Sequence, residues 1–344
     1  MKSLCVIRLK DSYNSFLASI RKRSNWLYRF LIYCNLVLRH WNLREHKKRF
    51  GDENPDKTFF VVRADDNCSE GLLSLYINRG SLVYKAIEKG YIPVVDFKNY
   101  KTMYNMPEFP DENAWDYYFL QPYSFSLEEV YKSKNVILSG WSFSKNPTNP
   151  AYNICGKEWL VDKNLDEISS FFLDRIDVRP EIKEFANREY EKLFPAKKRV
   201  LGVFFRGTTY VQYRPYNHPI QPDIKQMFEK VDRFLLSYGI ENIFLATEDA
   251  DIIEEFKQRY KSIVITYNGN NTVSKSLTKN GLANIIHSGG KTNYQIGLGY
   301  LITMLILSQC DYLVSSIANG SIFANIMNGN RYEDKYIFNL GVYD

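Results

Sequence analysis

Residues 199–255 read RVLGVFFRGTTYVQYRPYNHPIQPDIKQMFEKVDRFLLSYGIENIFLATEDADIIEE. Val200 to Phe205 is an apolar run that stops at Arg206-Gly207-Thr208-Thr209. A helical pattern follows. Ile243 to Ala246 is a second apolar run, and it stops at Thr247-Glu248-Asp249. Strand, polar loop, helix, strand, polar loop, helix is the order of an open parallel α/β sheet, whose binding crevice is lined by the loops after the strand ends. The first loop offers a fixed positive charge, a small residue and hydroxyls. The second offers carboxylates. Together they suit a ligand with an anionic middle and hydroxyl-rich ends, such as a nucleotide sugar.

Arg206 stands where a plain sequence would put a turn residue. Its guanidinium can grip a diphosphate bidentately and stays charged at any relevant pH. The amides of Gly207 to Thr209 would add donors. The plainer reading is an ion pair between Arg206 and a nearby acid. Glu248 and Asp249 can accept hydrogen bonds from ribose or base, and one of them is expected to cap the following helix. Further on, Tyr312 to Val314 reads as a strand ending at Ser315-Ser316, and Asn319-Gly320-Ser321 opens a helix to Met327. A strand end beside a helix N-terminus binds phosphate through backbone N–H groups and hydroxyls. For any single serine, a plain helix cap is the simpler role.

Outward from this stretch, Pro195-Ala196-Lys197-Lys198 marks a domain boundary, with one Rossmann-like domain over 57–195 and a second over 199–344. In the first, Phe59 to Ala64 is a strand and Leu72 to Glu88 a helix. Ile92 to Phe97 is the next strand, which completes a βαβ unit. The intervening loop, Asp65-Asp66-Asn67-Cys68-Ser69-Glu70-Gly71, has one glycine and so lacks the G-x-G-x-x-G fingerprint. If the domains face each other across a cleft, Asp65, Asp66 and Glu70 face Arg206, and one could be a general base toward an acceptor hydroxyl. Solvated loop acids are the plainer reading.

Residues 98–125 form a long aromatic segment, of the kind more often functional than idle. Asp166 to Val178 and Pro180 to Phe194 read as helices. Asn268 to Lys291 reads as a mobile loop. Tyr294 to Leu307 is an apolar helix too hydrophobic for a surface, and Tyr336 to Leu340 closes the second sheet.

Residues 1–50 carry twelve Lys or Arg against Asp11 and Glu45, a local charge of +10 in a chain of +6. The remainder is therefore about −4 by the same formal count, which makes nucleic acid an unsuitable partner for the body. Leu27, Leu31, Cys34, Leu38 and Trp41 recur at helical spacing. The segment is too short and interrupted to span a bilayer, and basic clusters on both sides exclude a signal peptide. An interfacial helix on an anionic membrane surface fits. A helix packed on its own protein or on a partner fits equally.

Five widely spaced cysteines point to a reducing compartment and not to a disulfide framework. The four histidines have no metal-ligand spacing. The 26 tyrosines and 22 phenylalanines suit carbohydrate handling, although codon usage in an AT-rich genome is the simpler account.

With its three loops placed, the second domain resembles the inverting fucosyltransferase superfamily of two-Rossmann-domain (GT-B) enzymes. These comprise the α-1,2 and α-1,6 fucosyltransferases, protein O-fucosyltransferases and nodulation fucosyltransferases. Within the group it looks most like bacterial capsule and surface-polysaccharide proteins. The first family motif, H-x-R-G-T-D-Y or G-V-H-x-R-R-x-D, matches Gly202-Val203-Phe204-Phe205-Arg206-Gly207-Thr208-Thr209-Tyr210. The second, a strand then A-T-D-D, matches Leu245-Ala246-Thr247-Glu248-Asp249. The third, a strand then a serine-rich helix start, matches Leu313 to Ser321. Asn113-Ala114-Trp115-Asp116-Tyr117-Tyr118-Phe119-Leu120-Gln121-Pro122 also looks like a segment of the bacterial relatives. Three positions depart from the pattern: the usual His is Phe204, the second Arg is Gly207, and the Asp is Thr209.

The resemblance implies a metal-independent, inverting glycosyltransferase without a cofactor. Its donor would be a GDP-linked sugar, possibly GDP-fucose, held by Arg206, Gly207, Thr208, Thr209, Thr247, Glu248, Asp249, Ser315, Ser316, Asn319 and Ser321. Its acceptor would be a glycan or lipid-linked oligosaccharide of surface-polysaccharide assembly. Arg206 and the helix start near Ser321 would stabilise the leaving diphosphate in place of a metal. Asp249-Ala250-Asp251 is a helix start and not a metal-binding D-x-D. A cytoplasmic protein peripheral to the membrane is the matching location. The alternatives are transfer of another activated group, or a degenerate relative that binds glycan or partners as a scaffold.

Overall fold

The computed structural model describes residues 16, 19–20, 23–24, 26–31, 33–34, 44–64, 70–140, 165–196, 199–206, 214, 218–270, 272 and 291–343. The first of its two sheets contains β1 (His46–Lys48), β2 (Phe59–Arg63), β3 (Ile92–Asp96) and β4 (Val136–Leu138), in spatial order β1-β4-β2-β3. β2 runs parallel to β3 and β4, while β1 is antiparallel to β4. The second sheet contains β5 (Val200–Phe204), β6 (Asn242–Ala246), β7 (Val264–Ile265), β8 (Tyr312–Ser316) and β9 (Asp334–Phe338). It is parallel throughout, in order β7-β6-β5-β8-β9. The chain steps outward from β5 to β7, then crosses back to β8 on the other side of β5. The reversal between β5 and β8 is a topological switch point, where open α/β sheets bind ligands. The expected pair of parallel α/β units is therefore present.

The helices are α1 (Leu72–Glu88), α2 (Leu127–Val130), α3 (Leu165–Arg175), α4 (Pro180–Leu193), α5 (Ile224–Tyr238), α6 (Ala250–Tyr260), α7 (Asn293–Leu307) and α8 (Asn319–Asn328). Side chains along a strand alternate between its faces, and β5 shows how both faces of the second sheet are covered. Leu201 and Val203 join Met227 and Val231 of α5 and Phe256 of α6 on one side. Val200 and Phe204 join Leu301 and Leu305 of α7 on the other.

α7 packs against α4 and α8, and α8 packs against α1 and α3. Helices α3 and α4, which precede the boundary expected at 195–199, thus lie on helices of the second unit. One apolar core runs from Phe60 and Tyr76 through to Leu305 and Phe323.

Two expectations need correction. The segment 1–50 is not helical to its end, because His46–Lys48 form β1. That strand is exposed and carries two lysines at the sheet edge, which discourages another chain from pairing there. The polar stretch after it is fastened: Gly51 N–H donates to Ser133 O at 3.2 Å, and Glu53 N–H to Lys132 O at 3.0 Å. The aromatic segment 98–125 is the second correction, since it is structural. Trp115, Tyr118 and Phe119 are buried core. Asn113 Oδ1 accepts from Phe97 N–H at 2.8 Å, and Gln121 Oε1 accepts from Val95 N–H at 2.9 Å. The side-chain nitrogens of both residues donate to Val95 O. Two amides thereby satisfy the open edge of β3 where a further strand would have paired. The loop expected over 268–291 falls mostly outside the described residues.

Gly202 marks the tightest approach of helix to sheet. A Cβ there would come within 2.7 Å of Leu307 Cδ1 and 3.2 Å of Cys310 Cβ. Glycine in a strand interior suits such close contact. Gly202→Ala is expected to destabilise the fold by about 1–3 kcal/mol through overpacking, read as a lower urea midpoint at unchanged slope. An unchanged midpoint would show that α7 backs away freely from β5.

Candidate functional site at the strand ends of the second sheet

Arg206 lies two residues past Phe204. Phe204 is level with Ser315 of β8 on one side and Ala246 of β6 on the other. This register carries Arg206 just beyond the carboxyl end of the sheet's central strand. Its Nε sits 3.4 Å from Glu248 Oε1, in a pair that is largely but not fully buried. The loop after β6 is built by its other two residues. Asp249 is fully buried, and its Oδ1 accepts from Asp251 N–H at 3.0 Å and Ile252 N–H at 3.4 Å, capping α6. Thr247 Oγ1 accepts from Asp249 N–H at 3.2 Å, and Thr247 O accepts from Asn270 Nδ2 at 3.0 Å. Thr247 and Asp249 shape the loop, and Glu248 is the residue it presents to Arg206.

On the β8 side, Ser315 and Ser316 lie inside the strand and are fully buried. Among the described residues neither Oγ has a hydrogen-bond partner, and neither does Oδ1 of Asn319 at the first position of α8. A buried polar atom left unmade costs about 1–3 kcal/mol. Three such atoms lie within five residues at a switch point, with Ser315 and Ser316 on opposite faces of the sheet.

Ser321 is different. Its hydroxyl accepts from Ala318 N–H at 3.1 Å and lies 2.7 Å from Ser316 O and 2.9 Å from Ala318 O. It closes the turn from β8 into α8, the cap role that is the simpler one for a single serine. Gly320 beside it is required by packing, since a Cβ there would fall 2.2 Å from the Tyr300 hydroxyl and 3.2 Å from Phe204 Cζ. Phe204, where the family pattern has histidine, is thus a buried core ring against the start of α8.

Gln221 was not singled out by sequence reasoning. It is buried, and its Nε2 donates to Pro219 O at 3.0 Å and Ile317 O at 3.1 Å. Because both partners are acceptors, the amide can face only one way. Its Oε1 is then left buried without a partner, close to the segment that follows β8. The available signal was Pro219-Ile220-Gln221-Pro222, where two prolines fix the backbone around one amide.

Of the acids expected at the end of β2, Asp65 and Asp66 lie outside the described residues, as do Gly207, Thr208 and Thr209 of the arginine loop. Glu70 is described and is fully engaged. Its Oε1 accepts from Asn78 Nδ2 at 2.6 Å and Ser74 Oγ at 3.0 Å, and its Oε2 pairs with Arg79 Nη2 at 3.0 Å. The Arg79 side chain is completely buried. A buried guanidinium needs a counter-charge, so protonating Glu70 would leave Arg79 uncompensated. In this structure Glu70 is the counter-ion of the buried Arg79.

The fold defines a Rossmann-like parallel sheet with buried polar side chains at its switch point. The chain is similar to several fucosyltransferases of known structure. Fucosyltransferase NodZ from Bradyrhizobium matches over 79% of this chain and 92% of its own, at 14% identity and a TM-score of 0.47. A mutant of Arabidopsis thaliana FUT1 in complex with GDP matches over 84% and 72%, at 12% identity and a TM-score of 0.49. POFUT1 in complex with GDP-fucose matches over 84% and 99%, at 10% identity and a TM-score of 0.45. No family model and no curated protein matches the chain.

Glu70→Ala is expected to lower stability by about 3 kcal/mol, the cost of stranding a buried charge, measured by chemical denaturation. A variant of wild-type stability would show that Arg79 finds another anion.

Proposed function

We propose that the second unit holds the diphosphate of a nucleotide sugar and that the protein is a glycosyltransferase. The observation that carries this reading is that, among the described residues, the end of β8 next to the strand that carries Arg206 holds buried serine hydroxyls without a partner. Because Ser315 and Ser316 point to opposite faces of the sheet, a ligand in the crevice meets one of them. A serine hydroxyl and a guanidinium at the ends of adjacent strands match a diphosphate ester, which brings acceptor oxygens to both. The sequence resemblance of the same three loops to fucosyltransferase motifs supports a GDP-linked donor, with fucose as the first sugar to test.

On this reading an acceptor hydroxyl of a glycan attacks the anomeric carbon from the face opposite the diphosphate. The new C–O bond forms as the bond to the diphosphate breaks, and the configuration inverts. The electron pair leaves on the diphosphate, where Arg206 and the amides of its loop stabilise the developing charge. The hydroxyl proton passes to a base, for which Asp65, Asp66 and Glu70 are the candidates. Gln221 Oε1 supplies a fixed acceptor for an N–H or O–H of the nucleoside. The acceptor belongs to surface-polysaccharide assembly, as the likeness to capsule proteins suggests.

One observation favours a second reading, a glycan- or partner-binding scaffold without turnover. Phe204 is core, so the base contact of the family's histidine is absent.

Titration calorimetry with GDP-fucose, GDP-mannose, UDP and dTDP sugars separates the two readings. Binding of one nucleotide class supports the transferase, and no binding of any supports the scaffold. Arg206→Ala is expected to weaken donor binding at least about tenfold, the worth of a charge-assisted contact. Unaltered affinity would move the site elsewhere.

Ser316→Ala gives an independent check. Removing an unsatisfied hydroxyl is expected to raise the unliganded denaturation midpoint, by up to about 1 kcal/mol, while weakening donor binding. A serine with only a structural role would lose stability instead.

A further inference from the structure

Residues 26–31 and 33–34 are helical. Ser24 begins that stretch: its Oγ accepts from Leu27 N–H at 3.3 Å and its carbonyl from Tyr28 N–H at 3.1 Å. The sequence stripe starting Leu27, Leu31 and Cys34 suggested one apolar face. The structure exposes a different one. Trp26 is 73% exposed, Tyr33 63% and Phe30 49%, while Tyr28 is 7% exposed. At about 100° per residue, Trp26, Phe30 and Tyr33 fall within about 60° of one another, and Tyr28 lies on the opposite side. The Trp26 and Phe30 rings stack with centroids 5.7 Å apart. Arg29 is exposed about 60° from the centre of the aromatic face, and Arg23 is exposed just ahead of the Ser24 cap.

Three large aromatics on one face of a helix are turned to solvent while Tyr28 on the opposite side is buried, and among the described residues nothing covers them. We infer that this face docks on an anionic lipid bilayer, with Trp26, Phe30 and Tyr33 at the depth of the headgroups. Two features select lipid over a protein groove. Trp and Tyr are amphipathic rings that favour the membrane–water boundary, where one end is apolar and the other wet. The charge is also complementary: residues 1–50 sum to +10 and the rest of the chain to about −4 by formal count. An anionic surface attracts the segment and repels the body, which orients the protein with its body away from the lipid. Among the described residues no helix is long and apolar enough to cross a membrane, so the contact proposed is lateral.

This inference is independent of the donor site. The test uses the full chain and flotation with vesicles of neutral phosphatidylcholine, or of the same lipid mixed with phosphatidylglycerol. Binding to the anionic vesicles, a blue shift of tryptophan emission, and weakening by salt are expected. The triple variant Trp26→Ser, Phe30→Ser, Tyr33→Ser is expected to lose about tenfold or more of the vesicle affinity at an unchanged denaturation midpoint. Arg23→Glu with Arg29→Glu should lose anionic selectivity while the aromatics remain. No vesicle binding by the wild type overturns the inference, as does binding that the triple variant retains. Self-association that the triple variant abolishes, without vesicle binding, overturns it in favour of a protein partner.

Discussion

An α-helix that is apolar on every side must be buried on every side, and α7 imposes that constraint on the molecule. Leu301, Ile302, Met304, Leu305, Ile306 and Leu307 are all buried, and a fully buried side chain of this kind contributes about 1.5–3 kcal/mol. No single sheet face can cover such a helix. The second sheet takes one side through Gly202, α4 and α8 take the flanks, and the first unit takes the N-terminal end. There the Tyr118 hydroxyl donates to Tyr294 O at 3.1 Å, and Asn293 Nδ2 donates to Met103 O at 2.8 Å. Gly297 lets the Tyr104 and Tyr118 rings lie against the helix backbone. Burial pushes the Tyr118 phenol well above its ordinary pKa, which keeps it a donor. The two units are joined because both are needed to cover one helix.

The candidate site follows from that arrangement. With α7 fixed against β5, α8 can start only where its first turn clears Tyr300, and Gly320 provides the clearance. Ser321 then folds back on Ser316 O and Ala318, holding the turn tight. Ser315 and Ser316 are left inside β8 with backbone partners in the sheet and none for their hydroxyls. The polar atoms that the fold fails to satisfy are at the point where the sheet's topology opens a crevice.

Regular elements of the second unit were legible from sequence because burial and periodicity coincide there. Val200 to Phe205 and Ile243 to Ala246 are strands covered on both faces, so they read as unbroken apolar runs. The apolar helix at 294–307 was legible for the same reason. His46–Lys48 was not, since a three-residue exposed edge strand has no apolar pattern and its pairing with β4 is long-range. The segment around Asn113 and Gln121 misled for a physical reason: its amides do the work of a missing strand, and no local periodicity records that. At the site, Arg206 and Glu248 were visible as charges after apolar runs, and a helix cap at Glu248 or Asp249 followed from position, while the structure gives it to Asp249. Which serine closes the turn and which is left unsatisfied is decided by a few ångströms of packing, below the reach of a motif.

Among the described residues, two arginine–carboxylate pairs near strand ends, Arg79–Glu70 and Arg206–Glu248, differ in a way that bears on function. Arg79 is completely enclosed and held by Glu70 at 3.0 Å, among two further hydrogen bonds to that carboxylate. Opening that pair would strand a charge in apolar surroundings, so it serves the fold. Arg206 and Glu248 retain 22% and 17% side-chain exposure and approach only to 3.4 Å through Nε. A pair in that position keeps the guanidinium compensated while solvent and ligand can still reach it. On the proposed reading, an incoming diphosphate must compete with Glu248 for Arg206, and it does so with more charge and with two oxygens in the plane of the fork. Glu248 then repels the same anion unless it turns toward a hydroxyl or N–H of the ligand. The carboxylate therefore lowers affinity for bare phosphate and favours a ligand that offers a donor beside its anionic centre, as a nucleoside diphosphate sugar does.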